Sequence, residues 1–123
     1  EMLEARAAEM ADAIALGGYP IDIHAPSAET TTTKPLRPSA RYQIPLRSLL
    51  VERPENLIVV GRCISATHEA AAAFRVTPIA MAIGQAGGVA AAEAVRGDIA
   101  PAQVPYAAVR ERLLQQGAQL PEP

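Results

Sequence analysis

The sequence predicts a mixed α+β fold, in part α/β, with three to four helices and a few short strands. Three observations carry this expectation. A long alanine- and glycine-rich apolar stretch follows Thr77-Pro78 and has the length of a helix. Leu-Ile-Val-Val at 57–60 is a continuous, largely β-branched run ending at Gly61, the pattern of a strand buried on both faces. Short apolar–polar alternations at 19–24 and 42–46, each punctuated by proline, read as further strands.

In chain order, Leu3, Ala7, Met10 and Ile14 recur at three-and-four spacing and predict a helix over residues 2–16, stopped by Gly17-Gly18. After Pro20, the strand at 19–24 places Asp22 and His24 on one face. Residues 25–41 hold three prolines and four consecutive threonines, which predicts a flexible loop. Pro45 confines the strand at 42–46 to an edge or a strand end. A polar-rich stretch at 62–69 separates the apolar strand from the long helix. Thr77 is expected to cap that helix and Pro78 to open it, with an end near Arg96 and Gly97-Asp98. Gly84, Gly87 and Gly88 each cost the helix about 1 kcal/mol relative to alanine, so they imply a close neighbour. Tyr106, Val109 and Leu113 share one face of a last helix at 105–116, stopped by Gly117.

Composition narrows the function classes. Half of the 123 residues are hydrophobic but only 3% are aromatic, so alanine supplies the apolar count and a self-sufficient core would be thin. A net charge of −2 gives no field that points to nucleic acid. The apolar stretch after Thr77 is broken by Gln85 and Glu93, so no membrane span is expected. The single Cys63, expected to be a small packed residue, excludes an internal disulfide framework and a multi-cysteine metal site, and fits a reducing, cytoplasmic setting. Lys34 is the only lysine and follows no glycine loop, which argues against a phosphate-cradling loop of the Walker type.

The informative unit is strand, glycine, polar loop, arginine and glycine-rich helix over residues 56–94. A strand ending in Gly61 brings backbone close to whatever occupies its carboxyl edge. The following helix aims four unsatisfied N–H groups near 76–79, with a partial positive charge, at the same place. Spacing alone does not separate a ligand site from a strand–loop–helix unit whose glycines only permit close packing.

The run NLIVVGRCISATHEA at 56–70, then Phe74-Arg75 and GQAGGVAAA at 84–92, resembles the C-terminal pattern of FAD-dependent oxidoreductases of the glutathione-reductase-like superfamily. YPIDIH at 19–24 and IPLRSL at 44–49 resemble two further stretches of that family, with Leu46 where tyrosine is usual and Gly88 where threonine is common. The resemblance implies a C-terminal fragment of an FAD-binding, Rossmann-like flavoprotein. Residues 1–50 would end a substrate or cap domain, 51–97 would complete the FAD domain, and 98–123 would form a terminal helix and tail.

The resemblance further implies that Gly61, Arg62, Ser65, Val76, Thr77, Pro78, Ile79 and Gly84 lie at the flavin. It places Arg75, His68, His24 and Arg47 in one substrate pocket, with His68 and Glu69 as an acid–base pair. The implied reaction is hydride transfer between a small polar substrate and flavin. The Gly-x-Gly-x-x-Gly turn that holds the FAD pyrophosphate does not occur in these residues. The expected partner is therefore an N-terminal FAD-binding part of a longer parent chain, and the fragment alone is expected to be inactive and free of FAD. The alternative is a non-catalytic, helix-rich interaction module, for which the apolar run at 57–60 predicts self-association.

Overall fold

Alanine side chains bury little area each but let neighbouring backbones approach closely. The longest helix exploits this. The computed structural model describes residues 10–24, 31–34 and 40–121. Its strands are β1 (Ala13–Gly17), β2 (Ile21–His24), β3 (Thr31–Lys34) and β4 (Tyr42–Pro45). Its helices are α1 (His68–Phe74), α2 (Thr77–Gly97) and α3 (Tyr106–Gln115), with single 3-10 turns at Leu46–Leu49, Gly61–Cys63 and Pro101–Gln103. α2 packs against β1, α3 and the Gly61–Cys63 turn, burying Ile79, Ile83, Ala86, Val89, Ala90 and Ala94.

The strands form two antiparallel pairs, β1 with β4 and β2 with β3. In the first pair Ala15 faces Ile44 and Gly17 faces Tyr42, with a bulge between Ala13 and Ala15. The bulge breaks the alternation of a strand, so Ala13, Ile14 and Ala15 are all buried. A helix was expected here, and the described part of it, residues 10–16, is instead a turn and a strand; residues 2–9 lie outside the described residues. The edge of β4 and the apolar faces of α2 and α3 bury this segment from several sides, and that burial overrides local helix preference.

The second pair, β2–β3, lies against α1. Asp22 faces Thr33 and Ile21 faces Lys34, so the threonine run read as loop supplies a strand. β-Branched threonines suit a pleated ribbon once a partner strand is present. The rest of the predicted loop, 25–30 and 35–39, lies outside the described residues.

The apolar run at 57–60 differs most from expectation. It makes one isolated antiparallel bridge, Leu50 with Ile58, and a bond from Val59 N–H to the Leu49 carbonyl at 2.9 Å, besides the turn bonds from Leu57 N–H to the Pro54 carbonyl and from Cys63 N–H to the Val60 carbonyl. Leu57 and Val60 are exposed. The segment is bridged along one edge only, so a strand buried on both faces does not form. Val60 nonetheless presses on α2. A Cβ built on Gly87 would lie 2.2 Å from Val60 Cγ1, whereas Gly84 and Gly88 face open space. One of the three glycines therefore meets the expected close neighbour.

α2 begins at Thr77, but its N-cap is Val76, and no side chain caps it. Pro78 has no N–H, so three amide donors, not four, stand at the helix entrance. Asp98 ends α2 in the left-handed conformation at φ 49°, its N–H bonded to the Ala94 and Val95 carbonyls. By length and composition α2 could also cross a membrane. Its buried residues pack among β1, α3 and the Gly61–Cys63 turn. α3 buries Val109 and Leu113, and its Tyr106 hydroxyl donates to the Ala13 carbonyl at 2.7 Å.

Tyr42 joins these parts. Its hydroxyl donates to the Ala73 carbonyl of α1 at 2.7 Å and accepts a hydrogen bond from the Tyr19 backbone, while its ring fills space left by Gly17. Burial pushes the phenol up to about 12. The folded pKa thus exceeds the unfolded value of 10.0, so this stability is complete below pH 10 and lost as pH rises toward 12.

Chemical denaturation tests both the phenol and the helix glycines. Tyr42→Phe should lower stability at pH 7 by about 1–3 kcal/mol, because the buried bond to the Ala73 carbonyl is lost. It should also flatten the fall in stability between pH 10 and 12. Gly84→Ala and Gly88→Ala should each raise stability by up to about 1 kcal/mol. Gly87→Ala should lower it, since overpacking costs about 1–3 kcal/mol and exceeds the helix gain.

Candidate functional site

Seven-residue α1 separates two hollows, so their positions differ by about 10 Å along its axis. At its carboxyl end, a hollow of about 540 Å³ is lined by Tyr19, Arg62, Arg75, Val76, Thr77 and Pro78. At its amino end, one of about 480 Å³ is lined by residues that include Arg47, Ser48, Ser65 and Thr67. A third, near Ile58 and Ile99, contains none of the candidate residues.

The first hollow gathers five of the expected residues: Arg62, Arg75, Val76, Thr77 and Pro78. Arg75 is the C-cap of α1, one residue before the N-cap of α2, so the turn between the helices delivers it there. Its Nη2 donates to both the carbonyl and the Oδ2 of Asp22, each at 3.1 Å. Arg62 lies in the Gly61–Cys63 turn, where Gly61 takes φ 65°, a conformation that disfavours a side chain. Its Nε donates to the Arg75 carbonyl at 2.7 Å. The hollow thus carries two guanidiniums beside the positive end of α2, and no carboxylate lines it.

His24 reaches this group through Asp22. Its Nε2 lies 3.1 Å from Asp22 Oδ2, the oxygen that also holds Arg75. The predicted sharing of one strand face by Asp22 and His24 is therefore present, and it places an imidazole, a carboxylate and a guanidinium in series.

Arg47 and His68 are not brought into that group. Arg47 lines the amino-end hollow, where its backbone N–H donates to Asp12 Oδ2 at 3.0 Å and its Nη1 donates to Asp12 Oδ1. Ser65 lies beside it, its N–H bonded to the Ser48 carbonyl at 2.9 Å. His68 opens α1 on its exposed side, after Thr67 caps the helix by accepting from Ala70 N–H at 3.2 Å. Glu69 pairs with Lys34 at 3.0 Å, and successive helix residues do not face each other, so His68 and Glu69 form no acid–base pair.

The remaining expected residues are spread out. The Ile79 side chain is in the core, so only its amide is available to the hollow. Gly84 lies about two turns further along α2 and does not line it. Cys63 is exposed, not packed, and no residue of its turn is buried. Tyr19 and Asp22 are additions that sequence reasoning did not assign to the site. The alternation at 21–24 marked Asp22's face, but its bond to a residue 53 positions away left no local signal.

Comparisons with known proteins agree with the upstream and downstream motifs together. No curated protein and no solved structure matches the chain. A family model described as FAD dependent oxidoreductase matches residues 2–113, nearly the whole length. The chain thus belongs to the FAD dependent oxidoreductase family.

Proposed function

We propose that the chain is the C-terminal part of a flavin-dependent oxidoreductase of the glutathione-reductase-like, Rossmann-like kind, and that it supplies the wall against which flavin and substrate meet. One observation carries this reading: Arg62, Arg75 and the uncapped entrance of α2 line a single hollow.

Volume, donors and the missing pyrophosphate turn decide which end of the cofactor the hollow suits. About 540 Å³ lies within the usual range of small-molecule and cofactor sites, roughly 300–1,000 Å³. The amides of Val76, Thr77 and Ile79 have no side-chain cap, and such donors suit the electron-rich edge of a flavin ring. No Gly-x-Gly-x-x-Gly turn is present to hold a pyrophosphate, so the residues fit the ring end of FAD alone. The unpaired edge at 57–60 is where the sheet of an FAD-binding part would continue.

When bound, flavin accepts or donates the hydride. This chain's residues do the rest. The α2 amides stabilise negative charge at the ring edge as fixed dipoles, with no reorganisation during reaction. Arg75 and Arg62 bind and orient a small polar substrate beside it. Asp22 keeps Arg75 in place. His24, in series with Asp22, adds an imidazole to the same group.

A second reading, a non-catalytic module that assembles with another chain, draws on the exposed apolar side chains of Leu57, Val60, Met81 and Val95. One comparison separates the two. The longer gene product should purify yellow with flavin absorbance, and the 123-residue chain should purify colourless. A colourless longer product sinks the flavoenzyme reading; a colourless longer product that sediments as an oligomer supports the second.

A further inference from the structure

We propose that Arg62 carries the specificity of the hollow at the carboxyl end of α1, its Nη1 and Nη2 together receiving the two oxygens of a substrate carboxylate while the Arg75 carbonyl holds its Nε. The inference rests on the reading of that hollow as the substrate's place.

A guanidinium has two edges that offer a pair of parallel N–H donors, Nε with Nη2 and Nη1 with Nη2, and forked binding of a carboxylate needs one of them whole. The two arginines of the hollow differ here. Arg75 commits Nη2 to the Asp22 carbonyl and Oδ2, each at 3.1 Å, and both of its edges contain that nitrogen. It keeps single donors that can touch a ligand but cannot fork it. Arg62 commits only Nε, to the Arg75 carbonyl at 2.7 Å. Among the described residues nothing else bonds its guanidinium, so the Nη1–Nη2 edge is whole at the hollow that Arg62 lines.

The backbone fixes where that edge stands. Gly61 at φ 65° and the bond from Cys63 N–H to the Val60 carbonyl at 3.3 Å shape the turn that carries Arg62, and the turn packs on α2. The acceptor of Nε belongs to the C-cap of α1, where a helix leaves carbonyls unsatisfied and favours a cation. Turn and cap hold the near part of the side chain, and the far edge is left to a ligand.

Charge and shape select the class. Arg75 is paired with Asp22, whereas Arg62 has no carboxylate partner among the described residues. One unpaired guanidinium answers one negative charge, and its planar fork matches a carboxylate. The pyrophosphate of FAD needs a Gly-x-Gly-x-x-Gly turn that these residues lack, so the anion left for Arg62 is the substrate's own.

The test titrates the flavin-free 123-residue chain with sodium acetate in place of chloride at constant ionic strength, read by the backbone amide resonances of Cys63 and Thr77 in proton–nitrogen NMR. In the unaltered chain they should shift saturably with acetate and bind inorganic phosphate more weakly. Arg62→Lys keeps the charge but removes the fork, and should weaken acetate binding about tenfold or more, the loss expected for one charge-assisted hydrogen bond. Arg62→Gln should weaken it at least as much. Arg75→Lys preserves the main-chain carbonyl on which Arg62 rests and should cost about threefold or less. Circular dichroism establishes that each variant is folded, and either Arg62 variant alone decides if the other is not.

The proposal fails if Arg62→Lys binds acetate within threefold of the unaltered chain, which would mean that charge alone attracts the anion. It also fails if Arg75→Lys costs as much as Arg62→Lys, if phosphate is preferred, or if no saturable shift occurs. Because no flavin is present, these outcomes are independent of whether the longer product is yellow.

Discussion

A single phenol constrains the described fold. The Tyr42 hydroxyl donates to Ala73 in α1 and accepts from the Tyr19 backbone ahead of β2, while its ring occupies the space where Gly17 of β1 lacks a side chain. A Cβ on Gly17 would lie 2.2–2.6 Å from three atoms of that side chain, so ring and glycine are selected together. Burying a hydroxyl is costly unless both its donor and acceptor functions are used. Here each function is used on a different segment, and the cost is offset only when those segments sit in register.

The consequence reaches the candidate site. Ala73 precedes Arg75 by two residues, and Tyr19 precedes Asp22 by three. The phenol therefore fixes both chain segments that must meet for Arg75 and Asp22 to bond across a separation of 53 positions. Arg62 then leans on the Arg75 carbonyl, so the two guanidiniums are set in sequence: Tyr42 places the segments, Asp22 places Arg75, and Arg75 places Arg62. The exposed ion pair of Lys34 with Glu69 adds a second tie from the β2–β3 ribbon to α1, though screened pairs of this type contribute little.

α1 also explains why the expected substrate pocket divides. A helix of seven residues holds its two ends apart, and Arg47 with Ser65 falls at one end while Arg62 and Arg75 fall at the other. His24 joins the latter group only because strand alternation turns it to the same face as Asp22. Arg47 is meanwhile bound to Asp12, whose carboxylate takes both its backbone N–H and its guanidinium.

Much of this was readable in the residues themselves. Thr77-Pro78 marked the start of α2 to within one residue, Pro45 marked the end of β4, and the alternation at 21–24 marked β2, because each signal is local: a missing donor, a locked φ, a two-residue period. The combined motifs at 19–24, 44–49, 56–70 and 84–92 also carried the family. Tertiary structure decided the rest. Residues 13–17 became a strand because β4 and α2 offered burial that helix spacing could not reveal, and the run at 57–60 stayed bridged along one edge because pairing needs a neighbour that its own residues do not encode. Which arginines share a hollow was likewise set by contacts across tens of residues, where hydrogen-bond geometry, and not spacing along the chain, selects the partner.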